Sequence, residues 1–182
     1  MKIIQTPSPN FSEREGYKPE LIVIHISAGS LTSMDSWFNT PNSQASAHYG
    51  VGKDGVTVHQ YVQEDKKAWH AGRVNNPSFT LYKPGINPNL YTIGIENEGL
   101  DLDKAPVEQI RTLCELIKDI AARWNIPLDR EHIIGHFQID AINRPNCPSP
   151  NHAVIDEIVA LLKTVDNVSV PRKLLVEISK FL

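Results

Sequence analysis

No stretch of this chain approaches the ~20 consecutive apolar residues that a membrane-spanning helix needs. The longest apolar run, Leu21 to Ile26, is strand-sized and is interrupted by His25. A secretory leader is missing in the same way. Met1-Lys2-Ile3-Ile4 turns polar at once and soon meets Pro7 and Pro9, so the chain is expected to be made without a signal peptide. A surplus of basic charge is absent too. Lys and Arg number 18 against 21 Asp and Glu, a formal charge of −3. This argues against nucleic acid, which calls for a basic face. Two cysteines are too few for a disulfide framework. There is no internal repeat, no low-complexity stretch, no paired CxxC and no HExxH, so the common local metal signatures are lacking.

What is present fits one globular domain of 182 residues with short appendages, 41% hydrophobic and 21% charged. Residues 1–20 are polar and proline-bearing and read as an extended arm over the surface. Leu21-Ile22-Val23-Ile24 is a β-branched apolar run that reads as a buried central strand. Thr32 or Ser33 is the expected cap of a short helix through Trp37 and Phe38. Lys53-Asp54-Gly55 between two alternating runs predicts a β-hairpin. The Pro-, Asn- and Gly-rich stretch from Asn75 to Tyr91 predicts a long loop.

Thr92 to Glu98 reads as a second strand. Period-2 alternation puts Ile93 and Ile95 toward a core and Gly94, Glu96 and Glu98 on the opposite face. Pro106 suits a helix start. Val107, Ile110, Leu113, Cys114, Ile117, Ala121 and Trp124 recur at helical spacing, so Cys114 belongs to a core stripe. His132 to Gly135 predicts a short strand, and a last helix is expected over 153–165. The order of elements predicts an α/β fold with a single mixed central β-sheet flanked by helices.

Three side chains stand out as possible metal ligands. His25 ends the buried strand, His136 follows Gly135 at the end of another, and Cys147 lies in the Pro-rich loop Arg144-Pro145-Asn146-Cys147-Pro148. Two imidazoles and a thiolate would leave a fourth position open, as catalytic zinc requires. Each residue alone equally fits a bland reading: a hydrogen-bonded structural histidine at a strand end, or a small buried cysteine. Glu96 and Glu98 also fit a solvated strand face, the reading preferred for Glu98. His59, His132 and His152 read as ordinary structural or surface residues.

Five blocks in one order turn these separate signals into a pattern. Leu21-Ile22-Val23-Ile24-His25, Ser46-Ala47-His48-Tyr49 with Lys53-Asp54-Gly55, Ala68-Trp69-His70-Ala71-Gly72, Ile93-Gly94-Ile95-Glu96, and Gly135-His136 followed by Cys147-Pro148 run from residue 21 to about 150. Together they resemble the amidase-2 family of zinc-dependent N-acetylmuramoyl-L-alanine amidases. That group includes phage amidase lysins and is related to the peptidoglycan recognition proteins.

The resemblance implies that His25, His136 and Cys147 bind Zn2+, and that Glu96 moves the proton in hydrolysis of the bond between N-acetylmuramic acid and L-alanine of peptidoglycan. It implies that His48, Tyr49 and His70 line the substrate groove; the long 75–91 loop, from its own composition, is expected as one wall. Many relatives carry a lysine two residues before the third ligand. That position is Pro145 here, so Arg144, one residue earlier, is the nearest stand-in for stabilising the oxyanion.

The implied domains are the arm 1–20, a catalytic domain 21–165, and a 166–182 tail read as a linker plus a short helix. Delivery to the wall is expected by phage- or prophage-type release, with cytoplasmic recycling as the lesser alternative. The rival readings are a zinc-free peptidoglycan-binding module, which the presence of Cys147 disfavours, an amidase of soluble wall-recycling fragments, and a metalloprotease of another class, which the missing HExxH disfavours.

Overall fold

The computed structural model describes residues 1–100, 103–149 and 152–165. The expected linker and helix of 166–182 lie outside them. Eight strands and three helices follow one another: β1 (Lys2–Gln5), β2 (Phe11–Glu13), β3 (Leu21–Ile26), α1 (Leu31–Phe38), β4 (Tyr49–Val51), β5 (Thr57–Gln60), β6 (Lys66–Ala68), β7 (Thr92–Asn97), α2 (Val107–Trp124), β8 (Ile133–Gly135) and α3 (Ala153–Val165). Six strands form one mixed sheet in the order β1-β5-β4-β7-β3-β8. The pairs β4–β7, β7–β3 and β3–β8 are parallel, and β4–β5 is the antiparallel hairpin. β2 and β6 make a separate antiparallel pair.

Alternation along β3 and β7 decides what lies on each face. Ile22 and Ile24 pair with Ile93 and Ile95 and pack with Ile133 against α2 and α3. This is the main core, and Cys114 sits within it, raised to about 11 by burial. The apolar spacing read along α2 thus marks its buried face, although Val107 at its start is 55% exposed. Asn125 ends the helix in the left-handed region, at φ 56.

Leu21 and Val23 face the other way and pack with Ile134, Ile139, Phe79, Leu90 and Tyr91. The 75–91 segment is therefore a packed cover over the second face of the sheet. It is not the groove wall expected from its composition, because its large apolar residues are drawn onto Leu21 and Val23.

Local details also differ from expectation. Ser30 caps α1, its Oγ accepting from Ser33 N–H at 3.2 Å, in place of Thr32 or Ser33. The hairpin turn follows its sequence signal. Asp54 Oδ1 accepts from Val56 and Thr57 N–H, and Gly55 takes a φ of 66. Glu98 is half-exposed, as a solvated carboxylate would be, but it also has a structural part. It accepts the backbone N–H of Leu31 and of Lys53 and so ties α1 to the hairpin.

The arm is extended and largely exposed, as expected, but it is tied into the fold. β1 joins the edge of the main sheet in parallel with β5, and beyond β2 the Arg14 side chain is only 4% exposed. Its guanidinium donates to the carbonyls of Glu64, Asn89, Leu90 and Thr92 at 2.8 to 3.2 Å. Burial lowers Arg14 to about 10, so it remains charged at neutral pH. Replacing it with methionine strands these carbonyls without donors, and we expect a loss of about 3 kcal/mol in urea unfolding. Lysine cannot reproduce the fork and should recover less than half of that.

Candidate active site and metal centre

The parallel strands β3, β7 and β8 end on one edge of the sheet, the edge where open α/β sheets place their ligands. His25 is the penultimate residue of β3, its register partner Glu96 is the penultimate residue of β7, and His136 directly follows β8. Cys147 arrives from the loop after β8. Ile26 N–H donates to its sulfur at 3.3 Å. The ligand atoms of His25, His136 and Cys147 all lie within 4.8 Å of one another, and all three residues are buried. No disulfide joins Cys147 to Cys114.

Hydrogen bonds fix which ring nitrogens face inward. Thr92 Oγ1 donates to the Pro88 carbonyl at 2.8 Å, so it accepts from His70 Nε2–H at 3.1 Å. His70 Nδ1 is then an acceptor and takes the Nε2–H of His25 at 3.0 Å. His136 donates its Nε2–H to the Ala71 carbonyl at 3.1 Å. Both remaining Nδ1 lone pairs therefore point at each other across 2.9 Å. Two bare acceptors at that distance repel unless a cation lies between them.

A proton is a poor candidate for that cation. Burial lowers His25 well below its usual range, with the neighbouring His136, His70 and Arg144 adding to the effect. Burial also takes His136 down to about 4. A divalent metal fits: neutral imidazoles and a thiolate are its preferred donors, and the partners on the far nitrogens are the usual outer support.

Glu96 faces this cluster. Its Oε1 is 4.0 Å from His25 Nδ1, and its Oε2 has no hydrogen-bond partner among the described residues. Burial raises its carboxyl to about 8, opposed by the charge of Arg144. Arg144 itself is exposed and lines the same cavity, of about 760 Å³, as His25, His70, Glu96, His136 and Cys147. Residues of α1 and of the 143–147 segment both line that cavity.

Of the residues expected to line the groove, only His70 does. Tyr49 pairs with Ile95, not with Glu96, so alternation sends it to the α2 face. There its hydroxyl donates to Glu64 at 2.7 Å. His48 lies on the site side of the sheet but is wholly buried behind His70. Its Nδ1 accepts from Gly94 N–H at 3.0 Å, and its Nε2 lies 2.9 Å from Arg14. His48 thus braces the site from behind and does not line the groove.

His59 and His132 are paired with Asp35 and Asp129. His152 does more than expected, stacking on Phe137 at 3.4 Å and donating to the Pro145 carbonyl within the ligand loop.

Some supporting residues escaped the sequence reading. Asn89 Oδ1 accepts from both His70 and Ala71 N–H, which holds the turn under His136. Gly94 has a steric reason to be glycine, since a Cβ there would run into the His70 ring. That signal was legible in part, because Gly94 alternates onto the face of Glu96.

The sequence profile for N-acetylmuramoyl-L-alanine amidases of the amidase-2 family matches residues 15–150. The chain belongs to this family. Among its relatives, N-acetylmuramoyl-L-alanine amidase A of Achromobacter lyticus is 32% identical over 121 residues, which spans 65% of this chain and 60% of that protein. The 1,6-anhydro-N-acetylmuramyl-L-alanine amidase AmpD of Salmonella typhimurium is 30% identical over 165 residues, 80% of this chain and 83% of that one. A crystal structure of AmpD superposes with a TM-score of 0.68 at 26% identity, covering 85% of this chain and 92% of AmpD. The catalytic domain of XlyA shares the fold, with a TM-score of 0.65 at 23% identity over 89% of this chain and 99% of that one. This amidase-2 chain therefore has the mixed sheet and helices of its family, as the motif order implied.

Gly94→Ala should push the His70 ring off its bond to His25 and weaken the affinity of the candidate site for an added divalent metal about 10- to 100-fold, measured by competition with a chromophoric chelator. A second outcome concerns acid. His48 titrates near 6.5 when unfolded and, lowered by burial and by Arg14, at about 3 when folded. Between those values only the unfolded amidase binds the proton. Stability present above pH 6.5 is therefore lost as the pH falls toward 3. The urea midpoint of the metal-free protein should drop over that window, and less steeply in His48→Asn.

Proposed function

We propose that this amidase-2 protein hydrolyses the amide between the lactyl group of N-acetylmuramic acid and L-alanine in peptidoglycan, using zinc held by His25, His136 and Cys147. The observation that carries this reading is the pair of imidazole lone pairs facing each other beside a thiol, with a buried carboxyl alongside. Zinc in that position supplies a Lewis acid and a water acidified to a pKa near ~7.

The chain's own residues do the remainder. Glu96 accepts a proton from the attacking water through its unpartnered oxygen and returns it to the leaving amine. Its raised carboxyl suits that exchange, since an acid near neutrality both takes and gives a proton readily. The site also opposes too much basicity, because Arg144 favours the ionised form of Glu96. Arg144 is the cationic side chain on the cavity wall, and we assign it to the oxyanion of the tetrahedral intermediate. His70 keeps the His25 ring in one tautomer and the Ala71 carbonyl does the same for His136, so both ligand nitrogens stay unprotonated.

A second reading concerns where the substrate comes from. Wall-bound peptidoglycan reached by phage-type release fits the lysin-like fold. The relatives aligned over 80% of the chain, however, are named as amidases of 1,6-anhydro-muramyl peptides. That favours soluble recycling fragments, which need no export. Comparing kcat/KM on intact sacculi and on soluble anhydro-muropeptides separates the two.

With peptidoglycan as substrate, new amino groups should appear without new reducing ends, stop on chelation, and return with zinc. Reducing ends would refute the amidase reading. Glu96→Gln should bind zinc normally yet lose at least about 100-fold in kcat. Unchanged turnover in that variant would remove Glu96 from the mechanism.

A further inference from the structure

The three tryptophans differ in what they do with their indole nitrogens. Trp69 donates to Ser12 Oγ at 3.1 Å, and Trp124 donates to Glu64 Oε2 at 2.6 Å. Trp37 makes no such bond among the described residues, is 58% exposed, and lines the cavity that holds the ligand cluster.

Its backbone is nonetheless well anchored. It sits in the last turn of α1 between Met34 and Phe38, which are buried. Ser8 Oγ donates to the Phe38 carbonyl at 2.5 Å, and Asp35 Oδ1 accepts from His59 and Tyr61 at 2.7 and 2.8 Å. A fixed helix thus presents a large bare aromatic ring on the wall of the reaction cavity. Apolar surface left in water inside a groove marks a place that a ligand covers.

We propose that Trp37 is the stacking platform for the pyranose ring of the substrate's amino sugar. This rests on the reading that the substrate is an N-acetylmuramoyl peptide. A pyranose offers a rigid face of C–H bonds that matches the negative face of an indole, while its hydroxyls stay at the rim in water. The peptide side of the scissile bond carries amides and carboxylates. Those match Asn143, Arg144 and Asn146, which line the same cavity and supply donors and a positive charge. The indole and these polar groups together set the direction in which the substrate lies across the metal centre.

The test compares an N-acetylmuramoyl peptide with a lactoyl peptide, which has the same scissile amide and no sugar. In Trp37→Ala the preference for the muramoyl peptide, as a ratio of kcat/KM, should shrink about tenfold, mostly through KM, and Trp37→Phe should keep most of it. An equal loss on both substrates, or no loss on either, overturns the proposal. Thermal melting of both variants should match the parent, since the ring is exposed.

A separate readout uses the metal-free protein titrated with N-acetylmuramic acid. The parent should show a saturable change in tryptophan fluorescence that Trp37→Phe lacks, and retention of the change in that variant also refutes the platform. If the parent cleaves neither peptide, the amidase reading fails, and the fluorescence titration still decides the role of Trp37.

Discussion

Two imidazole lone pairs held 2.9 Å apart are the constraint on which the site depends. Left alone, such a contact would relax by turning a ring. It cannot relax here because each ring is pinned at its far nitrogen. His25 is held through His70 and Thr92 to the Pro88 carbonyl, and His136 is held by the Ala71 carbonyl. These anchors belong to segments fixed by other bonds: Asn89 holds the turn carrying His70 and Ala71, and Arg14 gathers the carbonyls of Asn89, Leu90 and Thr92. The fold thus builds a candidate cation site from outside in, and a metal ion between the two nitrogens would relieve the repulsion at its centre.

The sheet separates this polar construction from the part of the molecule that makes it stable. One face, covered by α2 and α3, is apolar throughout the strand centres. The opposite face begins apolar at Leu21 and Val23 and turns to chemistry only at the strand ends, at His25 and Glu96. Alternation and strand length together produce the change. A carboxyl placed there is surrounded by little water, and so Glu96 holds its proton to about 8. The indole of Trp37 on α1 and the polar residues of 143–147 then give the cavity lining two distinct chemistries.

Several expectations drawn from motif resemblance met geometry that reassigns them. Tyr49 shares the face of Ile95 and belongs to a half-buried knot with Glu64, Arg123 and Trp124. His48 supports His70 from behind. The 75–91 segment covers the sheet and leaves the groove to α1. In each case the side of the sheet that the residues occupy decides what they can touch.

The central strands, the hairpin at Asp54-Gly55, the two long helices and the positions of His25, Glu96, His136 and Cys147 were all legible from the sequence. Their signals are local: period 2, period 3.6, turn residues, and motifs in fixed order. The arm strands β1 and β2, and β6 with its lysines, were not, because short exposed edge strands carry no hydrophobic period. Nor were the roles of Arg14, Asn89, Thr92 and Trp37. A buried guanidinium and an exposed indole look like any other arginine or tryptophan in a string of letters. Only the tertiary structure decided them, because burial and hydrogen-bond direction depend on residues up to 121 positions apart meeting at one edge of a sheet.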